Sequence, residues 1–490
     1  MSSHLRSSLS RRQFVRLAAG SSALAAYLAA CAAPRSAAPA APAAAPAESK
    51  PAEAKPTEAP KATEAAAAPS TEVIKLARYA AMEKDHFPLF EAQRKGFNEK
   101  NPNVTVEEVG VPWGEYIAKV RVLLNSGETP DIFWFMRFGQ WDSGIEAATY
   151  LKEEIIGDMT DVIKTKGTSK HFANIIEAGK VDGKLVGVPF EVFSDGVNWM
   201  YNESILEKTG LKAPSQNQTW DEVDAWLTEA AGKVGKEEFA LGPGSFQFWG
   251  TFMSMSSDQP GFHGMTDNES LKSTINSEAN VKTIAKIAKF YKKHVLARGD
   301  AAPPHLDGML SGKVLVAPMS TWAPTQMNTA PFKYGSFSGP TNKGITPRVD
   351  GYTGINWWTY AKDGKHTQQA TDFCYYCGSE EGLDMWAASG RFTPTQKYSV
   401  DDYAAFGKKL DQLKDNEKGF RAAITTNFDV VPNLKVWPIP PKAYWGQYLN
   451  KLNEVMKDVV EGKTDDEAEI AKLLVKAQEE GDKVLAGNAA

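Results

Sequence analysis

From Thr71 onward the chain alternates two apolar rhythms, and that alternation limits the fold more than any other feature. Val73-Ile74-Lys75-Leu76 reads as a strand, and Phe87, Phe90 and Phe97 then fall near one face of a helix that Asn101-Pro102 ends. Val104 and Val106 alternate as a second strand, and Tyr116, Val120, Leu123 and Leu124 return to helical spacing. Pro130 to Phe135 is a short, wholly apolar run of the kind a buried strand carries. Strand, helix, strand, helix, strand in this order predicts an α/β fold with a largely parallel sheet.

The later chain keeps the same character. Leu185 to Pro189 follows an Asp182-Gly183 turn, and Val197, Trp199 and Tyr201 alternate as a strand. Thr219-Trp220-Asp221-Glu222 is a capping box that opens a helix with Val223, Trp226, Leu227 and Ala230 on one face. Ile284, Ile287, Ala288 and Tyr291 mark another amphipathic helix, and Ile470, Leu473, Leu474 and Ala477 a last one. Val314 to Ala317 and Tyr352 to Tyr360 read as strands.

The N-terminus is of another kind. Arg11-Arg12 precede an apolar run of about 14 residues, Leu17 to Ala30, which suits a twin-arginine export signal and is too short to span a bilayer. Leu28-Ala29-Ala30-Cys31 is similar to a lipobox, so Cys31 is expected to become the lipidated first residue of the mature chain. Residues 32–70 are almost only Ala, Pro, Glu and Lys; they offer no core and read as a disordered spacer. Together these place the mature protein outside the cytoplasm, tethered to a membrane.

A net charge of −5 gives no footprint for nucleic acid. Of three cysteines, only Cys374 and Cys377 remain beyond the signal, so the fold is no disulfide scaffold. Their spacing is that of a redox pair, but they fall inside an expected helix, where two small buried residues are the simpler reading. The histidines are scattered without metal-ligand spacing, and neither a Gly-x-Ser-x-Gly elbow nor His-Glu-x-x-His occurs. No catalytic residue, metal or cofactor is expected.

Many short pieces, in order, carry a resemblance. They include Phe97-Asn98 with Asn101-Pro102, Pro130-Asp131-Ile132, Gly183 to Pro189, Trp199-Met200-Tyr201-Asn202, Trp220-Asp221-Glu222, Ser311-Gly312-Lys313 with Met319 and Trp322, and Gly354-Ile355-Asn356. The chain after the spacer resembles the extracellular solute-binding proteins of bacterial ABC importers, nearest the sugar-binding group that includes the maltose-binding protein. The resemblance implies a two-lobed periplasmic-binding-protein-like fold, each lobe an α/β sandwich, with a hinge of several strands (type II-like). It implies crossings near Pro189–Ser194, Asp350–Gly354 and Gly390–Pro394. The lobes would then be residues 71–190 plus 354–390, and 195–350 plus 394–485. It further implies capture of a carbohydrate, delivery to the permease subunits of an ABC importer, hinge closure and a monomer.

A sugar needs aromatic plates for its C–H faces and carboxylates, amides or arginine for its hydroxyls. Trp113 lies in a strand-to-helix loop, where it would face a cleft or staple the helix. Arg137 and Phe138 follow the Pro130–Phe135 strand, with Arg137 suited to a hydroxyl or to a surface ion pair. Glu191, Phe193 and Asp195 flank the first crossing, Phe248 and Trp249 close an aromatic-amide cluster, and Trp322 opens a helix. Asn356 and Trp357 follow the second crossing and Arg391 lies at the third. Trp134, Trp226 and Trp386 fall on buried patterns and are expected in the core. Glu191 with Asp195 could also be read as the carboxylate pair of a surface-anchored glycan hydrolase, and a non-sugar solute is a further alternative.

Overall fold

The apolar rhythms become two sheets. The computed structural model describes residues 73–82, 87–137, 144–167, 170–194, 196–243, 266–267, 272–297, 305–340, 353–388, 395, 413–433 and 445–487. The strands that matter are β1 (Ile74–Met82), β2 (Val104–Pro112), β3 (Ile132–Arg137), β4 (Val188–Ser194), β5 (Asn198–Asn202), β6 (Phe239–Leu241), β7 (Val314–Met319), β8 (Tyr334–Ser338) and β9 (Thr353–Tyr360). A five-stranded sheet has the order β2-β1-β3-β9-β4, and a four-stranded sheet the order β8-β5-β7-β6.

The first sheet departs from the largely parallel expectation. β1 runs parallel to β2 and β3, but β9 is antiparallel to both β3 and β4. The reason is the route of the chain. β4 leaves the first sheet at the edge where β3 ends, since Thr353 pairs with Ser194 and Ile355 with Arg137. β9 re-enters at that same edge and must run back against its neighbours. In the second sheet β5 comes in from the crossing and pairs antiparallel with β7 and β8, while β7 and β6 are parallel. From Ser70 on, the chain forms one compact unit.

Helices form where the sequence supplies caps and faces. Thr219 Oγ1 accepts from the Glu222 amide at 3.3 Å while the Thr219 amide donates to the Glu222 carboxylate at 2.7 Å, the reciprocal box at the start of Trp220–Ala231. That helix buries Trp220, Val223, Leu227 and Ala230; Trp226 is only half-buried, its Nε1 donating to the Lys212 carbonyl at 3.0 Å. Asn202 caps Glu203–Thr209, which ends at Gly210 with φ +67°. Glu278–Lys292 buries Ile284, Ile287, Ala288 and Tyr291, and Glu467–Leu485 buries Ile470, Leu474 and Ala477.

Around the first sheet the core is aromatic. Phe190 stacks on Trp358 with centroids 5.0 Å apart, Trp386 meets Phe190 edge-on at 5.1 Å, Phe90 meets Trp358 edge-on at 5.4 Å, and Phe90 and Trp386 tilt against each other. Trp134 packs against Tyr116. Cys374 and Cys377 lie in the helix Thr367–Cys377 as fully buried free thiols, and burial pushes Cys377 up to about 12. Among the described residues no helix is long and apolar enough to cross a membrane, and no cluster of three or more His, Cys, Asp or Glu could hold a metal ion.

Candidate ligand-binding site

The carboxyl ends of the parallel strands share one edge of each sheet, and the chain crosses between those edges. In the first sheet Met82 is level with Pro112, the last residue of β2, and β3 ends at Arg137. In the second sheet Asn198 pairs with both Met319 and Ser338, so the end of β7, the end of β8 and the start of β5 coincide. Between Ser194 and Asn198 the chain passes from one edge to the other. The Gly196 amide donates to the Met319 carbonyl at 3.1 Å, and the Gly339 amide to the Val197 carbonyl at 2.8 Å. Strand ends of open α/β sheets are where such proteins place ligand loops.

The expected site residues fall on these edges by backbone position. Trp113 directly follows β2, Arg137 ends β3, and Phe193, the penultimate residue of β4, pairs with Gly354. Trp322 follows the end of β7 and precedes the helix Ala323–Met327; its ring is half-buried against both hydrophobic clusters, the larger of which runs through both sheets. Phe138, Asp195, Phe248, Trp249 and Arg391 lie outside the described residues, as do Cys31, the export signal and the spacer.

Glu191 and Asn356 are brought together. They are direct partners across β4 and β9, both nearly inaccessible, and Asn356 Nδ2 donates to Glu191 Oε2 at 2.6 Å. The register shifts just beyond Asn356, where Phe190 is the extra residue of a β-bulge. The amide nitrogen is thus committed to the carboxylate, whereas Asn356 Oδ1 is buried with no hydrogen-bond partner among the described residues. A buried carbonyl oxygen of this kind needs a donor.

Trp357 corrects the expectation. Its side chain is fully buried in the first core, with Nε1 2.9 Å from where a Cβ on Gly179 would stand. A Cβ on Gly187 would come within 2.6 Å of the Trp358 carbonyl oxygen, so glycine is what lets this loop lie against the tryptophan pair. Trp357 therefore packs the core and offers no face to a solute.

Three residues escaped the sequence reading. Asn198, Thr321 and Asn427 are all fully buried. Asn198 Nδ2 donates to Asn427 Oδ1 at 2.8 Å, Asn427 Nδ2 to the Thr321 carbonyl at 2.9 Å, and Thr321 Oγ1 to the Val192 carbonyl at 3.3 Å. The available signal was Asn198 itself, a polar residue opening a buried apolar strand, which requires a partner. A recess of about 580 Å³ at the opposite edge of the first sheet, lined by Lys75, Asp131, Glu153, Asp363, Lys365 and His366 among others, has no aromatic plate and lies away from the crossing.

A family model described as bacterial extracellular solute-binding protein matches residues 92–469, most of the chain. The chain belongs to the bacterial extracellular solute-binding proteins. A Brucella abortus protein named as a binding protein is 28% identical over 184 residues, 36% of this chain and 40% of that relative. The chain thus spans about two fifths of the length of the Brucella relatives it matches. A multiple sugar-binding protein of Streptococcus mutans is 25% identical over 312 residues, 60% of this chain and 68% of the other. Among solved structures, an ABC substrate-binding protein from Listeria monocytogenes in complex with cycloalternan aligns with TM-score 0.65 at 17% identity, over 85% of this chain and all of that one. The sugar-binding protein MalE from Xanthomonas citri aligns with TM-score 0.63 at 15% identity, over 84% and 98%. These likenesses show the two-lobed α/β fold of solute-binding proteins.

Proposed function

We propose that this solute-binding protein captures a carbohydrate between the facing edges of its two sheets and presents it, unchanged, to the permease subunits of an ABC importer. The observation that carries the reading is the buried Glu191–Asn356 pair beside the crossing, with Asn356 Oδ1 left to accept from a hydroxyl. A carboxylate and an amide side by side suit the alternating donors and acceptors of a sugar. Sugars in the names of relatives and solved neighbours support the same class. Trp113, Arg137, Phe138, Phe193, Asp195, Phe248, Trp249, Trp322 and Arg391 complete the proposed cleft. The lobes take the limits expected from the sequence, and a solute touching both stabilises the closed form by its differential affinity for it. In this reading Cys31 carries the lipid and the spacer holds the head away from the membrane after twin-arginine export.

Thermal unfolding of the purified chain against mono- and oligosaccharides, with amino acids, peptides and polyamines as controls, tests it. A sugar at 100 times its Kd stabilises by about 2.7 kcal/mol and raises the midpoint. Glu191→Gln lowers the affinity about tenfold or more, the scale of one hydrogen bond to a charged group. A rise with a control and with no sugar moves the solute class; sugar recovered cleaved replaces the binding reading with the hydrolase.

A further inference from the structure

We propose that Asn427 is a positioning residue for the solute: it fixes the Thr321–Trp322 turn against the strand that arrives from the first sheet, and so sets where Trp322 meets a sugar. The inference rests on the carbohydrate reading above. Asn427 sits in the last turn of the helix Glu417–Val430 and is wholly buried. Its neighbours on the buried face, Phe420, Ala423 and Ile424, are apolar, so packing alone would be served by an apolar residue here.

Both ends of its carboxamide are used, and on two segments far apart in sequence. Oδ1 accepts from Asn198 at the first residue of β5, and Nδ2 donates to the carbonyl of Thr321, the residue before Trp322. Thr321 in turn donates through Oγ1 to the carbonyl of Val192, next to Glu191. One turn beyond Asn427, the Val431 carbonyl accepts from Asn174 Nδ2 at 3.1 Å, in the helix Ala173–Ala178 that precedes β4. The Asn427 amide is therefore the side-chain joint between the first residue of the crossing strand and the turn that carries an aromatic plate, added to the backbone pairing of Asn198 with Met319. A buried amide bonded at both its ends specifies one arrangement where apolar contacts would tolerate several.

Asn427→Leu keeps the shape and removes both links. In the unliganded protein, backbone amides 320–323 and 196–198 are expected to exchange at least about tenfold faster than in the parent, with the middle of the helix Glu417–Val430 unchanged. A bound sugar is expected to dissociate about tenfold faster, with association within about threefold. Asn198→Ala, which removes one link and inserts nothing, gives the same pattern at smaller size and serves if the leucine variant does not fold. Unchanged exchange at 320–323 in a folded variant overturns the proposal, as does uniform acceleration along the whole helix. Exchange is read without ligand, so a chain that binds no sugar sinks the carbohydrate reading and leaves the joint tested separately.

Discussion

The face of the first sheet that carries Trp358 and the face of the second that carries Met200 are packed with different materials. Trp358 is flanked by Phe90 and Phe190, and the fully buried guanidinium of Arg78 lies 3.9 Å from its ring centroid and 5.0 Å from that of Phe373. Met200 shares its cluster with Met309, Met319, Met327, Ala317, Ala323 and Ala423, and there the aromatic rings among the buried members are Tyr334 and Phe420. Aromatic rings have few rotamers and preferred mutual angles, whereas methionine adapts to whatever gap it meets. The stiff core lies behind Glu191 and Asn356, and Trp322 packs against the compliant one as well as the larger cluster. On the compliant side the proposed amide link through Asn427 adds a directional hold on the turn that methionine packing does not supply.

The largest effect belongs to the charge inside the aromatic core. Arg78 Nη1 stands 3.8 Å from Glu108 Oε2, and its guanidinium makes cation–π contact with Trp358, Phe90 and Phe373. Burial holds the Glu108 carboxyl above its ordinary range, although Arg78 pulls it down. Arg78→Met takes away that carboxylate's buried cation and leaves only Arg94 to offset it, and is expected to cost about 3–5 kcal/mol at pH 7 in urea denaturation. Glu108 has its folded pKa raised above the unfolded one, so its penalty grows as pH rises through the folded pKa and fades below it. The loss should therefore shrink in acid. It should also shrink on a Glu108→Gln background; an equal loss there would assign the effect to packing and erase the role of charge in the contrast.

Next in size is a pH dependence confined to the first-sheet side. His171 is buried, its Nε2 3.1 Å from the Gly378 carbonyl, and burial lowers its pKa to about 4. The unfolded chain takes up the proton near 6.5, the folded chain only near 4. Stability from this group is complete above pH 6.5 and is lost as pH falls toward 4, on the order of 3 kcal/mol in all. His171→Gln should flatten the urea midpoint between pH 7 and 4.5 relative to the parent. An unchanged slope would move the acid sensitivity to other groups.

What the sequence made readable was local. The Thr219 cap, the burial of Ile132 to Phe135, and the helix-interior cysteines follow from neighbours within a few residues. The reversed direction of β9 was hidden because it depends on the chain visiting the second sheet first. In the site, Glu191 and Asn356 were each visible as polar residues beside a crossing, but their pairing depends on the register of β4 against β9. Trp357 was misread because adjacent strand residues point to opposite faces, so Asn356 and Trp357 could not both serve one cleft. Asn198 and Asn427 lie on separate elements, and no local pattern joins them.

The smallest effect tests the contrast in packing directly. Met200→Leu conserves volume in a cluster that already holds several unbranched chains, and is expected to cost less than about 1.5 kcal/mol. Phe190→Leu on the other side removes the face stacked on Trp358 and the edge contact to Trp386, each ring pair worth about 0.5–1.5 kcal/mol beyond its buried area, and leaves a gap the neighbouring rings cannot close. Phe190→Leu should thus exceed Met200→Leu in urea denaturation. It should also disturb the site more, because Phe190 is the bulged residue that sets Glu191 opposite Asn356. Equal losses for the two substitutions would mean that both cores repack alike, and the stiffness behind Glu191 would then have to come from the backbone pairing of β4 and β9 alone.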